Sequence, residues 1–149
     1  MSKKHWVEKH WQSREGYDCV VLANGLMGHR CGYVGIPSSH PLFCLEYQAV
    51  YDKGIELSVH GGLTYSSLSS ASDYPVPKDD SERRWWFGFD CGHAGDSPDP
   101  AILKKSYTAE AMVARLFTFK GPEDRVRTLE FCIKECESLS QQLKALEAT

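Results

Sequence analysis

Seven residues of the types that zinc selects, Cys31, His40, Cys44, His60, Asp90, Cys91 and His93, are spread along the chain. Their spacing does not favour a metal. There is no CxxC and no HxxxH, and Cys91-Gly92-His93 is too close a pair to stand as a ligand signature. Ordinary histidines of core and loops are the simpler account, so no metal is expected. Nucleophilic chemistry has no better footing, because neither a Gly-x-Ser-x-Gly elbow nor a Walker loop occurs. Cys91 and His93 could serve as nucleophile and base, but a base ordinarily reaches its thiol across the fold and not from two positions away. No catalytic residue is expected.

Recognition of a phosphorylated, aromatic ligand fits the residue types better. Arg83-Arg84-Trp85-Trp86-Phe87-Gly88-Phe89-Asp90 joins two cations to an aromatic run. In a strand, Trp85, Phe87 and Phe89 share one face, while Trp86, Gly88 and Asp90 share the other. One face can build core, and the other could offer a stacking surface beside a glycine. Stacking a base is worth about 1–3 kcal/mol, and arginine adds bidentate contacts to phosphate. The plainer alternative buries all of these aromatics and leaves Arg83 and Arg84 solvated. Arg30 lies in a second glycine-rich run, Gly28 to Gly35, where it could meet a ligand or pair across strands, for example with Asp18. Arg115, between Ala114 and Leu116, could anchor a ligand or snorkel.

The elements that must position these residues read as an α+β fold. An antiparallel β-sheet body carries a short helix and a long C-terminal amphipathic helix. Strands are expected at His5–Trp11, Tyr17–Leu22 and His29–Ile36, the last closed by Pro37 and preceded by the Asn24-Gly25 turn signal. A short helix is expected over Glu46–Asp52. Further strands are expected at Ile55–His60, Leu63–Ser66 and Trp85–Asp90, with Gly61-Gly62 marking a bulge or a close approach. Ser66–Glu82 reads as a mobile loop, Cys91–Pro100 as a second loop, and Tyr107–Phe119 as a helix. Pro122, Glu123 and Asp124 suit the start of the last helix. Its apolar seam runs through Leu129, Cys132, Cys136, Leu139, Leu143 and Leu146. That seam can pack on the sheet or against a second copy.

At 149 residues and 42% hydrophobic the chain suits a single domain, residues 1–149, with a real core. No apolar run is long enough for a membrane span, and charges follow the basic start where an export signal needs hydrophobic residues. An intracellular, reducing setting is expected, with all six cysteines free. The net charge of −3 leaves any polyanion to a local basic patch, and no DNA or membrane partner is expected.

Three segments together resemble a known family. They are Gly28 to Val34, Val59 to Tyr65, and Trp85 to Asp96 with its run Trp-Trp-Phe-Gly-Phe-Asp-Cys-Gly-His-Ala-Gly-Asp. They resemble the first family of phage Thoeris anti-defence proteins, called Tad1, along most of the chain. The resemblance implies a cofactor-free sponge in the cytoplasm of an infected bacterium. It would sequester cyclic ADP-ribose isomers of the gcADPR type, made by TIR-domain proteins, without cleaving them. Cyclic oligonucleotides at a second site and assembly as a homodimer or homohexamer are also implied. Carried onto this chain, Arg30 and Arg115 would grip the pyrophosphate and Phe87 would stack on the adenine. Asp96 and Ser97 would supply polar contacts, although the family pattern has asparagine where this chain has Ser97. The competing readings are a hydrolase that degrades such a signal, and a protein-interaction module using the helical seam and the aromatic strand.

Overall fold

The computed structural model describes residues 5–68, 83–119 and 124–148, without the side chains of residues 115 and 117–119. Runs of β-branched and aromatic residues form β1 (His5–Gln12), β2 (Asp18–Asn24), β3 (Arg30–Pro37), β4 (Tyr65–Leu68) and β5 (Arg84–Asp90). These make one antiparallel five-stranded sheet in the order β1-β2-β3-β5-β4. A short helix, α1 (Tyr47–Asp52), links β3 to β4. Beyond β5 lie β6 (Asp96–Ser97), α2 (Pro100–Leu103), α3 (Ala109–Phe119), β7 (Arg125–Val126) and α4 (Leu129–Glu147). The expected α+β class, with its long C-terminal helix, is what the chain forms.

The seam of α4 packs on the sheet of its own chain. Cys132, Cys136, Leu139 and Leu143 are fully buried against Cys19, Val34, Ile36, Trp85, Phe87 and Phe89. The opposite sheet face holds a smaller cluster of Val20, Leu22, Tyr33 and Trp86. Both faces of the aromatic strand are therefore core, and Trp86 and Phe87 have no exposed surface at all. Strand register explains the glycines. Gly32 stands opposite Phe89, Gly35 opposite Trp86 and Gly88 opposite Tyr33. In each pair the ring lies across its glycine: a Cβ would collide at 2.4 Å with Phe89 and 2.6 Å with Tyr33, and would press on Trp86 at 3.0 Å. Burying a ring over a bare backbone lets large aromatics fill a thin sheet core. The space beside Gly88, expected to admit a base, is taken by Tyr33.

Four expected elements differ, one being the Cys91–Pro100 loop, which holds the two-residue strand β6 paired with β7. Ile55–His60 alternates like a strand but is irregular backbone, because its polar groups bond to α4 and α1 instead of a neighbouring strand. Gln142 accepts from Ser58 N and donates to Ser58 O, Glu135 accepts from His60 N, and Tyr51 Oη donates to Leu57 O. The last helix begins at Leu129, not near Pro122. Thr128 is its N-cap, its hydroxyl accepting from Phe131 N, and Arg125–Val126 pairs with Asp96–Ser97 as a short parallel ladder. The expected loop Ser66–Glu82 begins inside β4, and its residues 69–82 lie outside the described residues, as does Pro122.

All six cysteines are free. Among the described residues no helix is long and apolar enough to cross a membrane.

Candidate functional site

The loop that follows β5 folds into a tight turn around one aspartate. Asp96 Oδ2 accepts from His93 N at 3.0 Å while Asp96 N donates to His93 O, so residues 93–96 close on themselves, with Gly95 at φ 93°. The β6–β7 ladder then pins the turn against the entry to α4. Arg127 Nε donates to Asp96 Oδ1 at 2.8 Å, and His60 Nε2 lies 2.9 Å from both carboxylate oxygens. The Asp96 side chain is 1% exposed. Burial alone would raise its pKa. The contacts with His60, Arg127 and the His93 amide outweigh that and hold it below the ordinary carboxylate value.

His93 completes the group. Its ring stands at 85° to that of His60 with centroids 6.0 Å apart. It rests on Gly61, one of the glycines expected to mark a bulge or a close approach. His60 is held from behind by Phe131, with ring centroids 5.3 Å apart, and by the Glu135 carboxylate on its amide. Four chain regions thus converge: the Gly61 turn, the loop after β5, the approach to α4, and α4 itself.

Beside this group opens a cavity of about 230 Å³, whose lining includes Met27, His29, His93, Asp96, Ser97 and Asp124. His29 sits on its wall with the ring packed over Gly92. Burial lowers the His29 pKa despite the pull of Asp90 and Asp96, so its neutral form is favoured.

The residues expected to bind a ligand are only partly brought together. Asp96 and Ser97 both line the cavity, buried to 8% and 4% residual exposure. Arg30 does not reach it as a free cation. It is buried at 5% exposure, its guanidinium engaged by Glu8, Asp99 and the Arg127 carbonyl. Two carboxylates already neutralise this arginine, so it acts as an internal tie between β1, β3 and the start of α2. Phe87 is a core residue with no face for an adenine. Arg115 belongs to α3, and its side chain is not among those described. Cys91 is buried with its Sγ 3.6 Å from Cys132 Sγ, a contact that with burial pushes its thiol far above the ordinary range. It cannot supply a ready thiolate to His93.

Sequence reasoning missed His29, and it missed the junction of His60 with Asp96, which lie 36 residues apart. The one local signal was Gly61-Gly62, since a residue without Cβ is what allows an imidazole to lie on the chain. Set against protein-family models, curated proteins and solved structures, the chain matches none.

Proposed function

We propose that this chain binds and sequesters a small nucleotide signal of the cyclic ADP-ribose class, without cleaving it, at the cavity lined by His29, His93, Asp96 and Ser97. One observation supports this reading above others. The loop expected to make the polar contacts lines a cavity, and its Asp96 is rigidly held by three partners. Rigid, preorganised polar groups are what a binding protein needs to reach high affinity. The cations for a diphosphate then come from Arg115 on α3 or from a second copy, because Arg30 is already paired with Glu8 and Asp99 and Arg127 with Asp96. A cavity of about 230 Å³ is smaller than the roughly 300–1,000 Å³ of typical ligand sites. A second subunit closing over it would enclose such a ligand, so a homodimer or a homohexamer is part of the proposal. No site is assigned to a cyclic oligonucleotide.

The deciding experiment incubates the protein with cyclic ADP-ribose isomers and a panel of cyclic oligonucleotides, removes free ligand, and denatures what remains. Intact nucleotide released in fixed ratio to protein supports sequestration. Failure to retain any of these nucleotides overturns it. The second reading, a signal-degrading hydrolase, is favoured by the convergence of His60, His93 and Asp96 and would return product instead of ligand. The interaction-module reading loses its two surfaces, since the helical seam and the aromatic strand are both covered within the chain.

A further inference from the structure

We infer that His60, His93 and Asp96 form a binding site for one zinc-class divalent transition ion. Each residue offers one donor atom, and these atoms all lie within 4.8 Å of one another. Two imidazoles and a carboxylate match zinc, whereas calcium and magnesium require mostly oxygen donors. In a tetrahedral shell with bonds near 2.0–2.2 Å, donor atoms stand about 3.3–3.6 Å apart. His60 Nε2 and the Asp96 oxygens stand at 2.9 Å and must open slightly with loss of the proton between them, while His93, within 4.8 Å of both, closes on the ion.

The surroundings are those of a built site. A ligating carboxylate is usually fixed by further hydrogen bonds, and Asp96 has Arg127 on one oxygen and the His93 amide on the other. A ligating imidazole usually turns its other nitrogen toward a carboxylate. Asp90 Oδ1 lies 3.2 Å from His93 Nδ1, short of hydrogen-bond alignment, so a small turn of the ring completes that contact and leaves Nε2 to the ion. The positive charge of Arg127 opposes an ion here, and the Asp90 carboxylate beside His93 works against that charge. Three protein donors leave a coordination position open. His93 and Asp96 are also among the residues lining the cavity.

This site shares His93 and Asp96 with the cavity of the nucleotide reading but does not depend on it, and its test uses metal alone. Tag-free protein stripped with a chelator is titrated with Co²⁺ and followed by visible absorption, with Zn²⁺ as the displacing ion. The expected result is one equivalent in a four- or five-coordinate nitrogen–oxygen environment, displaced by Zn²⁺ and untouched by Mg²⁺. His93→Ala, checked for folding by circular dichroism, should weaken Zn²⁺ by more than the about 10–100-fold that loss of an outer partner costs. Asp90→Asn should fall within that 10–100-fold range, and it decides the matter should His93→Ala not fold. Absence of saturable binding overturns the proposal. So does a thiolate charge-transfer band, which would put the ion on Cys91 or Cys132, and so does unchanged affinity in the folded variants.

Discussion

The imidazole of His93 rests on the backbone of Gly61, so closely that a Cβ there would stand 2.5 Å from His93 Cε1. Gly61 also has φ 70°, a conformation that costs any side chain roughly 1–3 kcal/mol. Gly61→Ala should therefore lower stability in urea by at least that amount and weaken zinc binding by displacing His93. Gly54→Ala is the control, with φ 80° and nothing within 4 Å of its Cβ. It should show the backbone cost alone, with zinc binding intact. Equal stability losses and equal zinc affinities would mean that the ring contact is not what Gly61 provides.

Arg30 ties β1 to the start of α2 through Glu8 and Asp99, and Asp99 also caps α2 by accepting from Ala101 N at 2.8 Å. Removing one member of a buried ion group costs about 3–5 kcal/mol, because its partners stay desolvated and unpaired. Arg30→Ala should lose stability on that scale in urea unfolding. An arginine held open for a ligand would instead leave the unfolding midpoint where it was.

How far the sequence led can be read from particular residues. Alternation and β-branched runs located β1, β2, β3 and β5, and three- and four-residue spacing located α4, because those periods are local consequences of burying one face. Ile55–His60 carried the same alternation and failed as a strand, since Gln142 and Glu135 on α4, far along the chain, claim its backbone. Asp96 and Ser97 were named through the family resemblance alone, and the loop expected for them holds the short strand β6 beside the cavity. Arg30 and Phe87 were not legible, because a guanidinium bound for a phosphate and one bound for Glu8 and Asp99 look alike in one dimension. Nor did any local spacing tie His60 to Asp96, whose meeting depends on tertiary packing.

Thr128 caps α4 where acidic residues further upstream had suggested an earlier start. Its hydroxyl accepts from Phe131 N at 3.1 Å. Thr128→Ala should cost about 1 kcal/mol, lowering Tm by about 2–4 °C. Thr128→Ser should retain most of that stability. A loss shared equally by both variants in calorimetry would count against the cap.

Thiol reactivity should separate the six cysteines. Cys44 is exposed, Cys31 is half-buried with burial pushing its thiol up to about 11, and the other four are buried. Brief iodoacetamide treatment of the native protein near neutral pH should label Cys44 first and Cys31 slowly. Cys19, Cys91, Cys132 and Cys136 should react only after unfolding, as peptide mass spectrometry would show. Early labelling of Cys91 would mean that the wall between cavity and core opens readily.

Stability should fall in two stages as the solution is acidified. His29 has a folded pKa below its unfolded value of about 6.5, because burial penalises the imidazolium. The unfolded chain thus takes up that proton first, and the contribution of His29 is whole above about pH 6.5 and shrinks as the pH drops toward its folded value. Asp96 follows the same sign lower down. Its folded pKa is also depressed, so the stability from Arg127 and His60 is complete above the unfolded carboxylate value near 4 and fades beneath it. Urea midpoints measured from pH 8 to pH 3 should show both declines. His29→Gln should flatten the upper one, and Asp96→Asn should reduce the lower one while lowering stability at neutral pH. If the wild-type midpoint holds level from pH 7 to pH 5, the native state admits a charged His29, and the wall it forms over Gly92 is wetter than the packing implies.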